Sequence, residues 1–366
     1  MQRAHQTEDP ALRLTGVALR RGRDRVLGDI SLEIPQGALM VLLGGAGSGK
    51  SALLALLTGE ARASEGEIFS DGVGLGRTKP HRRGFGVVAQ RDALFPRLSL
   101  AENVAYPLRL RGVKASVRGR LVEAALDSVL LTGAHRRPHQ ASAAERQRVA
   151  LARATVFGPR LLVLDEPLGD QEGEVRPAMV AAVRRLHLLL GTTTILATRV
   201  AMDAMALADQ VAVLHGGRIE QVAAPGALYD NPVSAVAALA CGEANLLAGT
   251  VRAVDEDGVA QVALACGPVV EGTMSWTLKV RDPCVFCVRP ERIAIAPVRA
   301  ADMGAGAVDA TVLEVLHLGD LARLRLLVGS GAEVLVKRPM APGMRAGQAV
   351  AIAWQPGHAR VFEGGE

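Results

Sequence analysis

The chain has 366 residues, nearly half of them apolar and 22% charged, with a formal net charge of +5. That length suggests two or three domains with ample buried core, and that balance excludes a disordered chain. Aromatic residues make up only 3%, too few to interleave with the basic clusters at Arg20–Arg25, His81–Arg83 and Arg109–Arg120, so no nucleic-acid partner is expected. Those clusters read as solvated faces or as surface near anionic lipid.

The first residues carry no apolar stretch that fits a secretory signal, and no apolar run reaches the roughly 18 residues of a membrane span. The nearest, Val233–Val251, is interrupted by Glu243 and Asn245. A soluble cytoplasmic protein is therefore expected. Cys284 and Cys287 form an isolated CxxC in a strand-like run, read as small buried thiols rather than as a zinc or redox pair.

In chain order, the first telling element is the apolar strand Leu39–Leu43, followed by GGAGSGKS and a helix-like ALLALLTG. The spacing is that of a P-loop. The backbone of Gly44, Gly45, Ala46, Gly47, Ser48 and Gly49 can fold tightly enough to point amides at a polyphosphate. Lys50 is placed to neutralise β/γ-phosphate charge, and Ser51 to ligate Mg²⁺. Ala52 lies in the first turn of the helix, whose positive end faces the same anion. Strand before and helix after imply a nucleoside triphosphate site.

The run Gly86–Ala89 reads as a second strand and ends at Gln90, an amide able to reach a metal or a water. From residue 91 to 158 the pattern is mostly helical and reads as an inserted subdomain. Leu161–Leu164 is a buried strand that delivers Asp165 toward the bound metal and Glu166 as general base for the attacking water. Further strands are expected at Thr193–Ala197 and Gln210–Leu214. Past Gly242, short β-branched runs between glycines and prolines indicate an all-β module, a small barrel or a pair of barrels. The expected architecture is an α/β domain over residues 1–242 and a β domain over 243–366.

Taken in this order, VLGDISLEIPQG, the P-loop, VVAQRDALFPRLSLAENVAYPLRLRG, QRVALARA, LLVLDEPL and MDAMALADQVAVLHGGRIEQ resemble the ATP-binding subunit of ABC transporters. VRPERIAI and AIAWQPGHARV resemble the C-terminal OB-type (TOBE) region of importer ATPases, with a lean toward the polyamine type. The resemblance implies a P-loop NTPase fold, ATP and Mg²⁺, with Ser51, Gln90 and Asp165 around the metal. It further implies a homodimer or a paralogous ATPase partner, two membrane permease subunits and, indirectly, an external solute-binding protein. The place implied is peripheral, on the cytoplasmic face of the inner membrane.

The chain departs from that family pattern at several points. The signature loop reads Ala141, Ser142, Ala143, Ala144, Glu145, with alanines where two glycines are usual. In the family, residues at the positions of Ser142 and Ala144 approach a partner's ATP, so a Cβ crowds that approach, alanine resists φ > 0, and Glu145 adds negative charge nearby. The alanines nonetheless suit a helix N-terminus whose amides stay available. Arg199 stands at the switch-histidine position, where it cannot copy a neutral imidazole but can contact a γ-phosphate as a cation. The D-loop reads Gly169, Asp170, Gln171, Glu172, and Arg21 takes the place of the adenine-stacking aromatic. Nucleotide binding is thus a safer expectation than fast hydrolysis. The competing reading is a regulatory or structural nucleotide-binding subunit with little turnover. A soluble ABC protein of DNA repair or translation is disfavoured, since there is one P-loop and no coiled-coil insert.

Overall fold

The computed structural model describes residues 9–90, 93–169, 173, 175–274, 278–297, 306–339 and 343–364. By packing, the chain divides into residues 1–225 and 226–366.

The first unit begins with β1 (Leu12–Arg21) and β2 (Asp24–Ile34), then β3 (Leu39–Leu43), α1 (Lys50–Thr58), β4 (Glu65–Ser70), β5 (Val73–Gly74) and β6 (Phe85–Val88). Three helices follow: α2 (Leu100–Leu110), α3 (Ala115–Ser128) and α4 (Ala143–Thr155). After them come β7 (Leu161–Asp165), α5 (Val175–Leu190), β8 (Thr193–Thr198), α6 (Ala201–Leu207), β9 (Gln210–His215) and β10 (Arg218–Ala223). All five strands expected from sequence in this unit are present.

Two sheets organise the unit. β2-β1-β4-β5 is antiparallel, with its apolar side chains alternating inward. The other is six-stranded, in the order β10-β9-β3-β8-β7-β6, parallel except at β10. Its central strands are sealed on both faces, which is why β3 is an unbroken apolar run rather than an alternating one. Leu53, Leu56 and Leu57 of α1 join Leu12, Leu27 and Ile30 of the antiparallel sheet and Met40 and Leu42 of β3 in one core. Burying each such side chain is worth roughly 1.5–3 kcal/mol, so α1 is fixed firmly behind the loop that precedes it. Among the described residues no helix is long and apolar enough to cross a membrane.

Arg83 corrects the reading of His81–Arg83 as solvated surface. It is buried and donates from Nη1 to the carbonyls of Leu56 and Leu57, at 2.7 and 2.6 Å. Its Nε and Nη2 reach the carbonyls of Thr78 and Leu75. A cation here satisfies the carbonyls at the C-terminal end of α1, where the helix dipole is negative.

In the second unit, α7 (Pro225–Asp230) and α8 (Ala235–Cys241) precede β11 (Asn245–Val254), β12 (Val259–Leu264), β13 (Val269–Met274), β14 (Pro283–Val288), β15 (Ala294–Pro297), β16 (Val308–His317), β17 (Leu321–Val328), β18 (Ala332–Pro339), β19 (Ala349–Ala353) and β20 (Ala359–Glu363). Strands β11-β12-β13-β20-β14 close into a barrel, while β15-β19-β16-β17-β18 form a five-stranded sheet. The all-β module is therefore one closed barrel and one sheet, joined by a shared core around Phe286, Val262, Leu324 and Val336.

The packing division falls after Pro225, the first residue of α7, earlier than the boundary after Gly242 expected from sequence texture. Arg289 supplies the reason. It is buried and donates to the carbonyls of Ala238, Glu243 and Tyr229, at 2.8, 3.1 and 3.2 Å, tying both short helices to the strands. Cys284 and Cys287 are buried, and burial pushes both thiols up, Cys287 to about 11. They fall in different apolar clusters, Cys284 with Phe286 and Cys287 with Ala238 and Phe362, as inert packing rather than a redox pair.

Candidate functional site

Parallel strands deliver their C-terminal ends to one edge of a sheet, and ligands bind in the crevice beyond them. Four neighbouring strands do this here. β3 runs into the P-loop, β7 ends at Asp165 with Glu166 next, β8 ends at Thr198 with Arg199 next, and β6 is followed by Ala89 and Gln90. Register makes these ends level: Leu43 lies opposite Thr198, and Asp165 opposite Ala197.

The resulting cavity, about 410 Å³, is lined by Arg21, Val26, the loop and helix start from Ala46 to Ala52, Gln90, Glu166 and Arg199. Val26 is the one lining residue that sequence reasoning did not name; as an isolated aliphatic in β2 it carries no local signal. Gly44 and Gly45, expected to contact the nucleotide, do not line it; the Lys50 ammonium donates to their carbonyls at 2.6 and 2.9 Å and lies 3.3 Å from Ser48 Oγ. Lys50 is buried, and that burial lowers its pKa while the carboxylates of Glu166 and Asp165 oppose the shift.

Glycine is required at the helix entry. Gly49 has φ +105°, and a Cβ there would lie 2.6 Å from Leu27 Cδ2. At Gly44 a Cβ would meet the Leu214 carbonyl at 2.4 Å. The N-terminus of α1 has no side-chain cap and no acidic residue in its first turn. Its first internal bond is Leu53 N–H to Gly49 O, so the amides of Lys50, Ser51 and Ala52 have no partner within the helix. The positive end is left open to an anion.

Ser51 Oγ donates to Asp165 Oδ1 at 3.5 Å. Burial and the neighbouring Glu166 raise the pKa of Asp165, with Ser51 and Lys50 opposing. Hydroxyl and carboxylate oxygens beside the exposed amide of Gln90 form a hard donor set of the kind that suits magnesium. Glu166 sits at φ +45°, its N–H bonded to Ala197 O and its carbonyl accepting from Gly169 N–H. Its Oε2 accepts from Arg199 Nε at 3.0 Å. Supporting groups that sequence reasoning missed hold both loops in place. Arg176 donates to Leu168 O, just past Glu166, and pairs with the buried Asp203, which also accepts from Thr198 Oγ1. No short motif marks these partners, because they come from separate segments.

The signature residues do not line this cavity. Ser142 is the N-cap of α4: its Oγ accepts from Glu145 N–H, while Glu145 Oε2 accepts from Ser142 N–H at 2.9 Å. Ala143 and Ala144 are the first helical residues and have no positive φ, so alanine is unstrained there. Arg136 Nη2 donates to Glu145 Oε1 at 2.6 Å, and this bond, with the cap, draws the carboxyl down to about 2. The charge of Glu145 is thus matched within the chain. Of the D-loop, Asp170, Gln171 and Glu172 lie outside the described residues.

A family model described as ABC transporter matches residues 27–169, and one described as TOBE domain matches residues 286–362. The spermidine/putrescine import ATP-binding protein PotA of Pseudomonas aeruginosa is 36% identical over 352 residues, 94% of this chain and 97% of that protein. The sn-glycerol-3-phosphate import ATP-binding protein UgpC 1 of Rhizobium johnstonii is 40% identical over 242 residues, 65% of this chain and 66% of its own. Among solved structures, cbiO1 from Clostridium perfringens, described as part of the ABC transporter complex cbiONQ, superposes with TM-score 0.57 at 25% identity, covering 61% of this chain and 91% of that one. With a relative matched over nearly its whole length, and with the P-loop, Asp165 and Glu166 gathered at one sheet edge, this chain belongs to the ATP-binding subunits of ABC importers that end in a TOBE domain.

Proposed function

We propose that this chain binds Mg-ATP at the P-loop cavity and hydrolyses it, driving solute uptake through a membrane permease. The observation that carries this reading is the convergence of Lys50, Ser51, Gln90, Glu166 and Arg199 on one cavity, with Asp165 bonded to Ser51. Lys50 and the open first turn of α1 hold the phosphates. Ser51, Asp165 and Gln90 would hold Mg²⁺, which neutralises charge on the phosphate oxygens. Glu166 takes the proton from the attacking water as its oxygen bonds the γ-phosphorus and ADP leaves. Arg21 offers a planar guanidinium on which adenine can stack.

We infer two membrane permease subunits as partners, a peripheral place on the cytoplasmic face of the inner membrane, and indirect dependence on an external solute-binding protein; that the relatives are named import ATP-binding proteins supports the link to import. A polyamine is the solute we assign, because the relative matched over nearly its whole length is named for spermidine and putrescine. In a homodimer, or beside a paralogue, Ser142 and Ala144 would face the partner's nucleotide. Steady-state turnover tests the reading: Glu166→Gln should lower it by about 10²–10⁴-fold while nucleotide still binds. Turnover unchanged by that substitution would refute the assignment of Glu166.

One observation favours a second reading, a regulatory subunit with negligible turnover. The N-terminus of α4 already carries a carboxylate, Glu145, in its first turn. Negligible turnover in the unsubstituted chain, alone and with any paralogue encoded beside it, would select that reading.

A further inference from the structure

In the second unit, strand register gathers cations on one face. Cys287 of β14 lies opposite Arg360 of β20. Arg289, two residues past Cys287 in extended backbone, falls on the same side by alternation. A turn at Pro290–Arg292 then brings in Arg292, and a turn at Pro356–His358, just ahead of β20, brings in His358. With Tyr229 and Asp230 at the end of α7, these residues line a cavity of about 330 Å³. We propose that this cavity binds a small anion through a carboxylate or phosphate group. It lies wholly in the second unit and does not rest on the ATP reading of the first.

The charge around the cavity is unbalanced. Among the described residues three guanidiniums line it and Asp230 is the one carboxylate that does, while Glu291 accepts from Tyr229 Oη and lies outside the lining. Arg289 is 5% exposed, and its hydrogen bonds end on the carbonyls of Tyr229, Ala238, Gly242 and Glu243. Carbonyls satisfy its N–H groups but leave its charge uncancelled, and a buried cation without an anion is costly. Arg360 likewise donates to neutral acceptors, Asp230 O and Asn231 Oδ1. The ion pair at the cavity is Arg292 Nη2 with Asp230 Oδ1, at 3.1 Å, and both side chains are exposed. Such a pair is weak and gives way to a better anion.

A guanidinium holds its donors in one plane, which matches two oxygens of a carboxylate or a phosphate. Arg292 and Arg360 supply that fork from two sides of the cavity, and Arg289 supplies a fixed positive charge behind it. Arg289 also lies over the Tyr229 ring, 4.1 Å from its centroid, so the aromatic face and Pro232 add apolar lining. The cavity thus has room for a short carbon skeleton beside the charged group.

The test is calorimetric titration of the full chain with inorganic phosphate and, separately, with succinate. Arg292→Gln and Arg360→Gln should each weaken binding about tenfold, the loss of one charge-assisted bond. Lys50→Ala should leave it unchanged. Binding of one probe alone would assign the ligand to that class, and binding of neither overturns the proposal. Binding that Lys50→Ala abolishes and both arginine substitutions spare belongs to the P-loop, which also overturns it. Because Arg360 helps to tie β20 to α7, Asp230→Asn serves as a variant that loses no donor. It removes the competing carboxylate and should strengthen binding severalfold, whereas a cluster that is only structural would show no gain. Hydrogen exchange should show added protection at residues 229–231 and 357–360 when the probe is bound, and protection confined to the first unit would refute the site.

Discussion

Two helices of the first unit begin at loops that the family pattern assigns to phosphate, and their N-termini are finished in opposite ways. At α1 the N-cap is Gly49, without a side-chain acceptor, and the first turn holds Lys50 and Ser51 with no carboxylate. At α4 the N-cap is Ser142, reciprocally bonded to Glu145, which is held in turn by Arg136. A helix start needs partners for its first amides. α1 leaves them to a ligand, and α4 uses its own side chains. The contrast teaches that the start of α1 is open to a ligand, while the start of the signature-loop helix is capped by side chains of the same chain. In that loop, alanine at 143 and 144 brings no backbone strain, and Glu145 is paired with Arg136.

The largest expected effect breaks the open end. Lys50→Ala should reduce Mg-ATP affinity by about a hundredfold or more, since charge-assisted bonds to phosphate are worth roughly 1.5–3 kcal/mol each. Isothermal titration would measure it, and an unchanged affinity would erase the distinction between the two helix starts. The next effect lies at the far end of the same helix. Arg83→Met should cost about 2–4 kcal/mol, because the buried carbonyls of Leu56, Leu57 and Leu75 lose a charged donor. Denaturant unfolding of the first unit reads this directly.

At the closed end the effects are smaller. Ser142→Ala should destabilise by about 1 kcal/mol, the usual value of an N-cap, with Mg-ATP affinity of the isolated chain unchanged. A fall in that affinity would mean that the α4 loop contributes to the P-loop cavity after all. The smallest effect is in pH. The carboxyl of Glu145 sits near 2 against an ordinary 4.5, so its contribution is full above 4.5 and is lost as pH falls toward 2. Glu145→Gln should flatten the stability profile across that window, and a profile unchanged in slope would show that the pairing with Arg136 contributes nothing.

The fold was largely legible because its signals are local. β3 is a five-residue apolar run and the P-loop follows it immediately, so Gly44 to Ser51 could be read without any distant partner. The strands after Gly242 could likewise be recognised one by one. Whether they close could not, because closure depends on β13 meeting β20, where Thr273 pairs with Arg360 across a long stretch of chain. The basic cluster at His81–Arg83 misled for the same reason. Nothing around Arg83 in sequence announces that α1 needs a donor at its C-terminal end.

By itself, then, the sequence determined the P-loop between β3 and α1 and the order of strands and helices, since spacing and periodicity act over a few residues. Only the tertiary structure decided which groups Glu166, Glu145 and Arg83 pair with. Arg199 reaches Glu166 because the sheet brings the ends of β7 and β8 together. Arg136 meets Glu145 at the start of α4 and Arg83 meets the carbonyls at the end of α1, and helix packing rather than local spacing sets those two pairings.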